Sequence, residues 1–107
     1  MSEYPNDEQI EQVKVWKFDR PTAFTEFMEF VKSIGHYWPN SDPFGWKQDG
    51  QIYHVSTGGW SGNEEIIGAM RDNFIFWSVC WQQSNRGGHY VFELPDPDIY
   101  FRKQVQP

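Results

Sequence analysis

The stretch FIFWSVCWQ, residues 74–82, decides how this chain is read as a fold. Only Ser78 and Gln82 in it are polar side chains. A short apolar run bounded by turn residues suits a strand buried on both faces, where alternation is lost. We therefore read residues 74–82 as the central strand of a sheet. Asn73, just before it, ends a helix in a left-handed conformation. After it, Ser84-Asn85-Arg86-Gly87-Gly88 turns the chain. HYVFEL, residues 89–94, returns as the last strand, and Pro95 and Pro97 then break regular structure, leaving residues 95–107 as a tail.

Upstream, FGWKQ and QIYHVS flank Asp49-Gly50. Asp-Gly between two β-prone runs signals a tight hairpin, because those turn positions need positive φ. Before the hairpin, HYWPNSDP is rich in turn residues and reads as a loop. Phe24, Phe27, Met28, Val31 and Ile34 recur at helical spacing, with Glu26, Glu29 and Lys32 between them. This is an amphipathic helix, capped by Asp19 or Thr22, with Pro21 in its first turn and Gly35 at its end. A second, shorter helix spans residues 64–72, with Ile66, Ile67, Ala69 and Met70 apolar. VKVWKF, residues 13–18, is rich in β-formers and reads as a first strand. Residues 1–9 read as a flexible acidic leader, so residues 10–94 form one domain.

The resulting order is β-α-β-β-α-β-β. It describes an α+β fold with a mostly antiparallel sheet and two helices on one face, open to a ferredoxin-like sandwich. At 107 residues the chain has room for one domain with a modest core. Aromatic residues make up 19% of it, too many for a low-complexity disordered chain. No apolar run is long enough to span a bilayer, and the polar N-terminus has no signal-peptide pattern. The single cysteine, Cys80, lies in the apolar run and reads as a buried, inert thiol. Together these features point to a reducing cytoplasm.

The net charge of -6 is uneven. Residues 1–11 hold Glu3, Asp7, Glu8 and Glu11 and no base, while residues 12–92 are nearly balanced. A basic groove for nucleic acid is therefore not expected. An acidic inhibitor of a host nucleic-acid enzyme stays open as an alternative, but it needs carboxylates on the folded surface.

Candidate chemistry concentrates in VSTGGWSGNEEI, residues 55–66. Ser61 and Glu64 have the spacing of a capping box, and Gly58, Gly59 and Gly62 permit a tight strand-to-helix turn. The same geometry presents backbone N–H groups at a helix start and suits a polar ligand. It is no phosphate loop of the GxxxxGK type, since no lysine follows, and Glu64 and Glu65 repel phosphate there. Trp60 either plugs the core or projects as a recognition anchor. Arg86-Gly87-Gly88-His89 is a second glycine-flanked polar element, whose arginine can take a carboxylate or phosphate. The expected contact set is Thr57, Gly58, Gly59, Trp60, Ser61, Asn63, Arg86 and His89.

Strand alternation places Tyr53 and Val55, and Tyr90, Phe92 and Leu94, on apolar sets that meet the helices. The mixed sets carry His54, Ser56, Ser78, His89 and Glu93 on the other face. Two histidines with a carboxylate suggest a hydrolase or nuclease built on His54, His89 and Glu93, as an alternative to binding. His54-Val55-Ser56 supplies one H-x-S element of the kind two-histidine phosphoesterases need twice, but His89-Tyr90-Val91 lacks the hydroxyl. No G-x-S-x-G elbow is present, no Cys/His spacing supports structural zinc, and no cofactor or metal is expected.

The blocks STGGWSGNEEI and FWSVCWQQSNRGGHYVFEL resemble a family of small phage and prophage proteins to which no activity attaches. The resemblance covers about residues 53–94. It implies a phage-type accessory protein in the cytoplasm of a bacterial host, and carries no catalytic residue. The expectation is therefore a non-catalytic protein that binds a host or phage protein or a small polar ligand.

Overall fold

A computed structural model of the chain describes residues 5–35, 40–41, 44–57 and 61–96. Within them Asn73 ends the helix Ser61–Asp72, as expected, its N–H donating to the Ala69 and Met70 carbonyls, but it also starts the next helix. Its side chain accepts from the Phe76 N–H, the bond of an N-cap, and its φ of -82° is not left-handed. Phe74–Cys80 is then a helix and not a strand. The burial pattern explains why. Phe76 and Cys80, four apart, are buried, while Phe74 and Ser78 are exposed. A strand would place all four on one face, so only the helical period separates them. An unbroken apolar run hides its own period, and here the cap residue resolves it. The strand that follows is Trp81–Asn85, shifted past the apolar run, and all five of its residues are exposed.

The segment expected as the first strand also differs. Asp7–Val15 is a helix, α1. Asn6 caps it by accepting from the Gln9 N–H, while the Gln9 side chain accepts from the Asn6 N–H. Asp7 and Glu8 in its first turn and Lys14 in its last suit the helix dipole. The helix thus starts inside the segment expected as a leader. Trp16 and Phe18 pack on α2, Ala23–Ile34, which forms where its apolar spacing predicted. Thr22 precedes α2 without a side-chain cap bond, its hydroxyl donating instead to Glu26.

The remaining elements are β1 Asn40–Ser41, β2 Phe44–Asp49, β3 Ile52–Ser56, α3 Ser61–Asp72, α4 Phe74–Cys80, β4 Trp81–Asn85 and β5 His89–Glu93. The order α-α-β-β-β-α-α-β-β replaces the expected β-α-β-β-α-β-β, and among the described residues there are four helices and not two. The sheet is antiparallel throughout, in the order β1-β2-β3-β5-β4. The coarse expectation holds: this is a small single-domain α+β fold. The hairpin forms one residue later than expected. Asp49 pairs with Ile52, so the turn residues are Gly50 and Gln51, with Gly50 at φ +63°.

One sheet face meets the helices. Tyr53 pairs with Phe92 and Val55 with Tyr90, and this face carries the core. Phe92 packs on Phe76 and Trp77 of α4, and Phe27 of α2 packs on Phe76. Ile52, His54, Ser56, His89, Val91 and Glu93 alternate onto the opposite face. Val91 is buried there, yet stands outside the helix-side core.

Candidate functional site

Ser56, the last residue of β3, pairs in register with His89, the first of β5. Ser56 Oγ and His89 Nδ1 share a hydrogen bond of 2.7 Å. Burial first, and then the neighbouring His54, hold His89 below its ordinary value, so the ring is neutral at pH 7. The rings of His54 and His89 lie 5.8 Å apart.

One residue further, the chain passes from sheet to loop. The Thr57 N–H donates to the Gly88 carbonyl at 3.0 Å, extending the ladder into the β4–β5 turn. Gly87 and Gly88 have φ of +83° and +77°, a region closed to most side chains. Gly88 has a second reason to be glycine: a Cβ there would sit 2.3 Å from Thr57 Oγ1. Asn63, in the first turn of α3, donates from its side-chain amide to the Thr57 carbonyl at 3.2 Å. Thr57 and Asn63 are both fully buried.

The glycine turn at Arg86-Gly87-Gly88 therefore stands against the end of β3 and the start of α3. Of the expected contact residues, Thr57, Asn63 and His89 meet at this corner. Thr57 and Asn63 form its buried frame, and His89 is half-buried beside them. Ser61 and Arg86 are exposed around it. Gly58, Gly59 and Trp60 lie outside the described residues, and so does the choice between plug and anchor for Trp60. α3 begins at Ser61, three residues before the expected start, so Ser61 belongs to its first turn and does not precede it.

Of the alternative set His54, His89 and Glu93, the two histidines are neighbours and Glu93 stands apart from His89. Glu93 is exposed and pairs with Ile52, four residues along β5 from His89. At the rise of a strand that is about 13 Å. Ser78 lies on α4, away from the sheet. Among the described residues, no group of three or more His, Cys, Asp or Glu side chains is placed to hold a metal ion. Burial of Ser56 limits its use as a nucleophile, and its bond to His89 satisfies a hydroxyl that would otherwise cost free energy. Burial raises the Cys80 thiol well above its ordinary value, which leaves it unreactive.

Comparison with known proteins finds no matching family model, no matching curated protein and no matching solved structure. Among the described residues no helix is long and apolar enough to cross a membrane.

Sequence reasoning named Thr57, Asn63 and His89, and the structure adds that Asn63 is buried and bonds the Thr57 carbonyl. That reasoning took Asn73, a second buried amide, only as a helix end and missed that it also caps the next helix, because an Asn after an amphipathic run signals an end as readily as a start. The signal that could have found it is the missing glycine: an Asn that separates two apolar segments without one can cap the second.

Proposed function

We propose that this chain is a non-catalytic binding protein whose contact surface is the glycine-turn corner. The observation that carries the reading is the Thr57 to Gly88 hydrogen bond, which locks the two glycine-flanked elements together. A buried frame of Thr57 and Asn63, with the half-buried Gly88 against it, supports an exposed rim that includes Ser61 and Arg86. A rigid backbone frame lowers the entropy cost of binding, and an arginine offers a fork for a carboxylate. The contact is with a partner protein or a small polar ligand. A phage-type setting in a bacterial host rests on the resemblance of residues 56–66 and 76–94 alone.

The test compares the full chain with Arg86→Glu and Ser61→Glu variants as bait in bacterial lysate. Arg86 and Ser61 are exposed, so both variants fold. Capture by the parent that both variants lose supports the corner. Capture that both retain places the contact elsewhere.

A further inference from the structure

We propose that the groove between the end of α1 and the start of α4 seats a second copy of this chain. The groove holds about 480 Å³ and is lined by Lys14 through Asp19 and by Asn73, Phe74 and Ile75. Its surface is apolar to an unusual degree: Phe74 is 80% exposed, Val15 54% and Ile75 47%. A single exposed apolar residue needs no explanation, but three on one groove mark a contact site. The fold creates this cluster. Asn73 holds the Val13 and Trp16 carbonyls, which brings the end of α1 against the start of α4. The cap at Phe76 then turns Phe74 and Ile75 outward.

The charges around the groove select the occupant. Lys14 and Lys17 stand there with Asp19, and Asp72 lies 3.9 Å from Lys14. Lys17 has no ion pair among the described residues, while Asp19 accepts from the exposed Arg20. An acidic partner would meet the two lysines but also two aspartates. A copy related by a two-fold axis presents the same two lysines and two aspartates, so that a lysine of each patch can meet an aspartate of the other, twice by symmetry. Lys17 then faces Asp19 of the second copy, and Phe74 and Ile75 fill the opposing groove. The patch is small, so the dimer is weak and concentration-dependent. The corner and the groove lie at opposite ends of α3, whose 12 residues span roughly 18 Å. One surface can thus be lost without the other.

Sedimentation velocity of the full chain, from roughly 5 µM to roughly 500 µM, reads the association directly. The expected result is a weight-average mass that rises toward twice the monomer. Phe74→Asp should stay monomeric at every concentration, with thermal unfolding unchanged because the side chain is exposed. Lys17→Asp and Asp19→Lys should each weaken association at least about threefold, and the double variant should restore it, as a paired contact requires. Arg86→Glu should associate like the parent, which separates this contact from the corner. A parent that stays monomeric overturns the proposal, and so does association that survives Phe74→Asp or a charge swap that fails to rescue. A monomer that binds a peptide of alternating glutamate and leucine through the groove also overturns it, in favour of an acidic partner.

Discussion

At its first turn α3 is tied by the Asn63 amide to the carbonyl of Thr57; just past its last residue, the Asn73 amide ties it to the carbonyls of Val13 and Trp16. Both asparagines are buried. Both bridge segments that helix and sheet ladders leave unconnected. What surrounds them differs. Around Asn63 the chain is closed: Ser56 bonds His89, Thr57 bonds Gly88, and no Cβ fits at Gly88. Around Asn73 the chain is open, with Phe74, Ile75 and Val15 facing outward. The same device, a buried amide that satisfies distant backbone groups, makes a polar frame at one end of α3 and an exposed apolar groove at the other. A buried asparagine in this fold is therefore a cross-link, and the side chains next to it determine what the surface offers.

The largest expected effect tests the open end. Asn73→Ala removes the acceptor for Phe76 and the donors to α1, leaving buried backbone groups unpaired. It should cost about 3 kcal/mol by chemical denaturation. Asn73→Asp keeps the cap acceptor and loses the amide donors, so its cost should be intermediate. A loss under about 1 kcal/mol for Asn73→Ala would mean that Asn73 is no cross-link.

Next is Gly88→Ala at the closed end, which meets both a positive φ and the Thr57 hydroxyl. It should cost about 2.5 kcal/mol, against about 1 kcal/mol for Gly87→Ala, where only the φ is unfavourable. Equal costs would show that Gly88 and Thr57 are not in contact. Asn63→Ala should follow at about 2 kcal/mol, since it takes a donor from the buried Thr57 carbonyl.

The pH dependence is smaller, because His89 is only half-buried. Its folded pKa lies below the ordinary value of 6.5. The unfolded chain then binds a proton before the folded one does, so this contribution is complete above pH 6.5. It is lost as the pH falls from there through the folded value. The melting temperature should drop over that window in the parent and less in His89→Gln; identical profiles would remove His89 as the cause. Smallest of all, Phe74→Ser should change stability by under about 0.5 kcal/mol, because the ring is exposed. A larger loss would mean that the groove is part of the core.

How far the sequence carries depends on whether a pattern is local. α2 was legible because Phe24, Phe27, Met28, Val31 and Ile34 repeat with a helical period, and all five are buried. The β2–β3 hairpin was legible because Gly50 can take the positive φ of a tight turn. The facing of β3 and β5 was legible too, since alternation put Tyr53, Val55 and Phe92 in the core. α4 was not, because seven nearly all-apolar residues carry no readable period. Asn73 was not, because its partners Val13 and Trp16 lie 60 and 57 residues away. At the corner, the residue types were legible and their roles were not: Asn63 reads as a contact residue in the sequence and is a buried tie in the fold.

By itself, then, the sequence determined α2, one hairpin, two strand faces, the acidic start and the two glycine-flanked elements. Each is written in neighbouring residues by period, by turn chemistry or by charge. Only the tertiary structure decided that residues 74–80 are helical, that α1 takes the place of a first strand, and that the Gly87-Gly88 turn meets the end of β3 at Thr57. Those outcomes rest on buried hydrogen bonds between distant segments, whose worth depends on water being excluded around them, and exclusion exists only once the chain has packed.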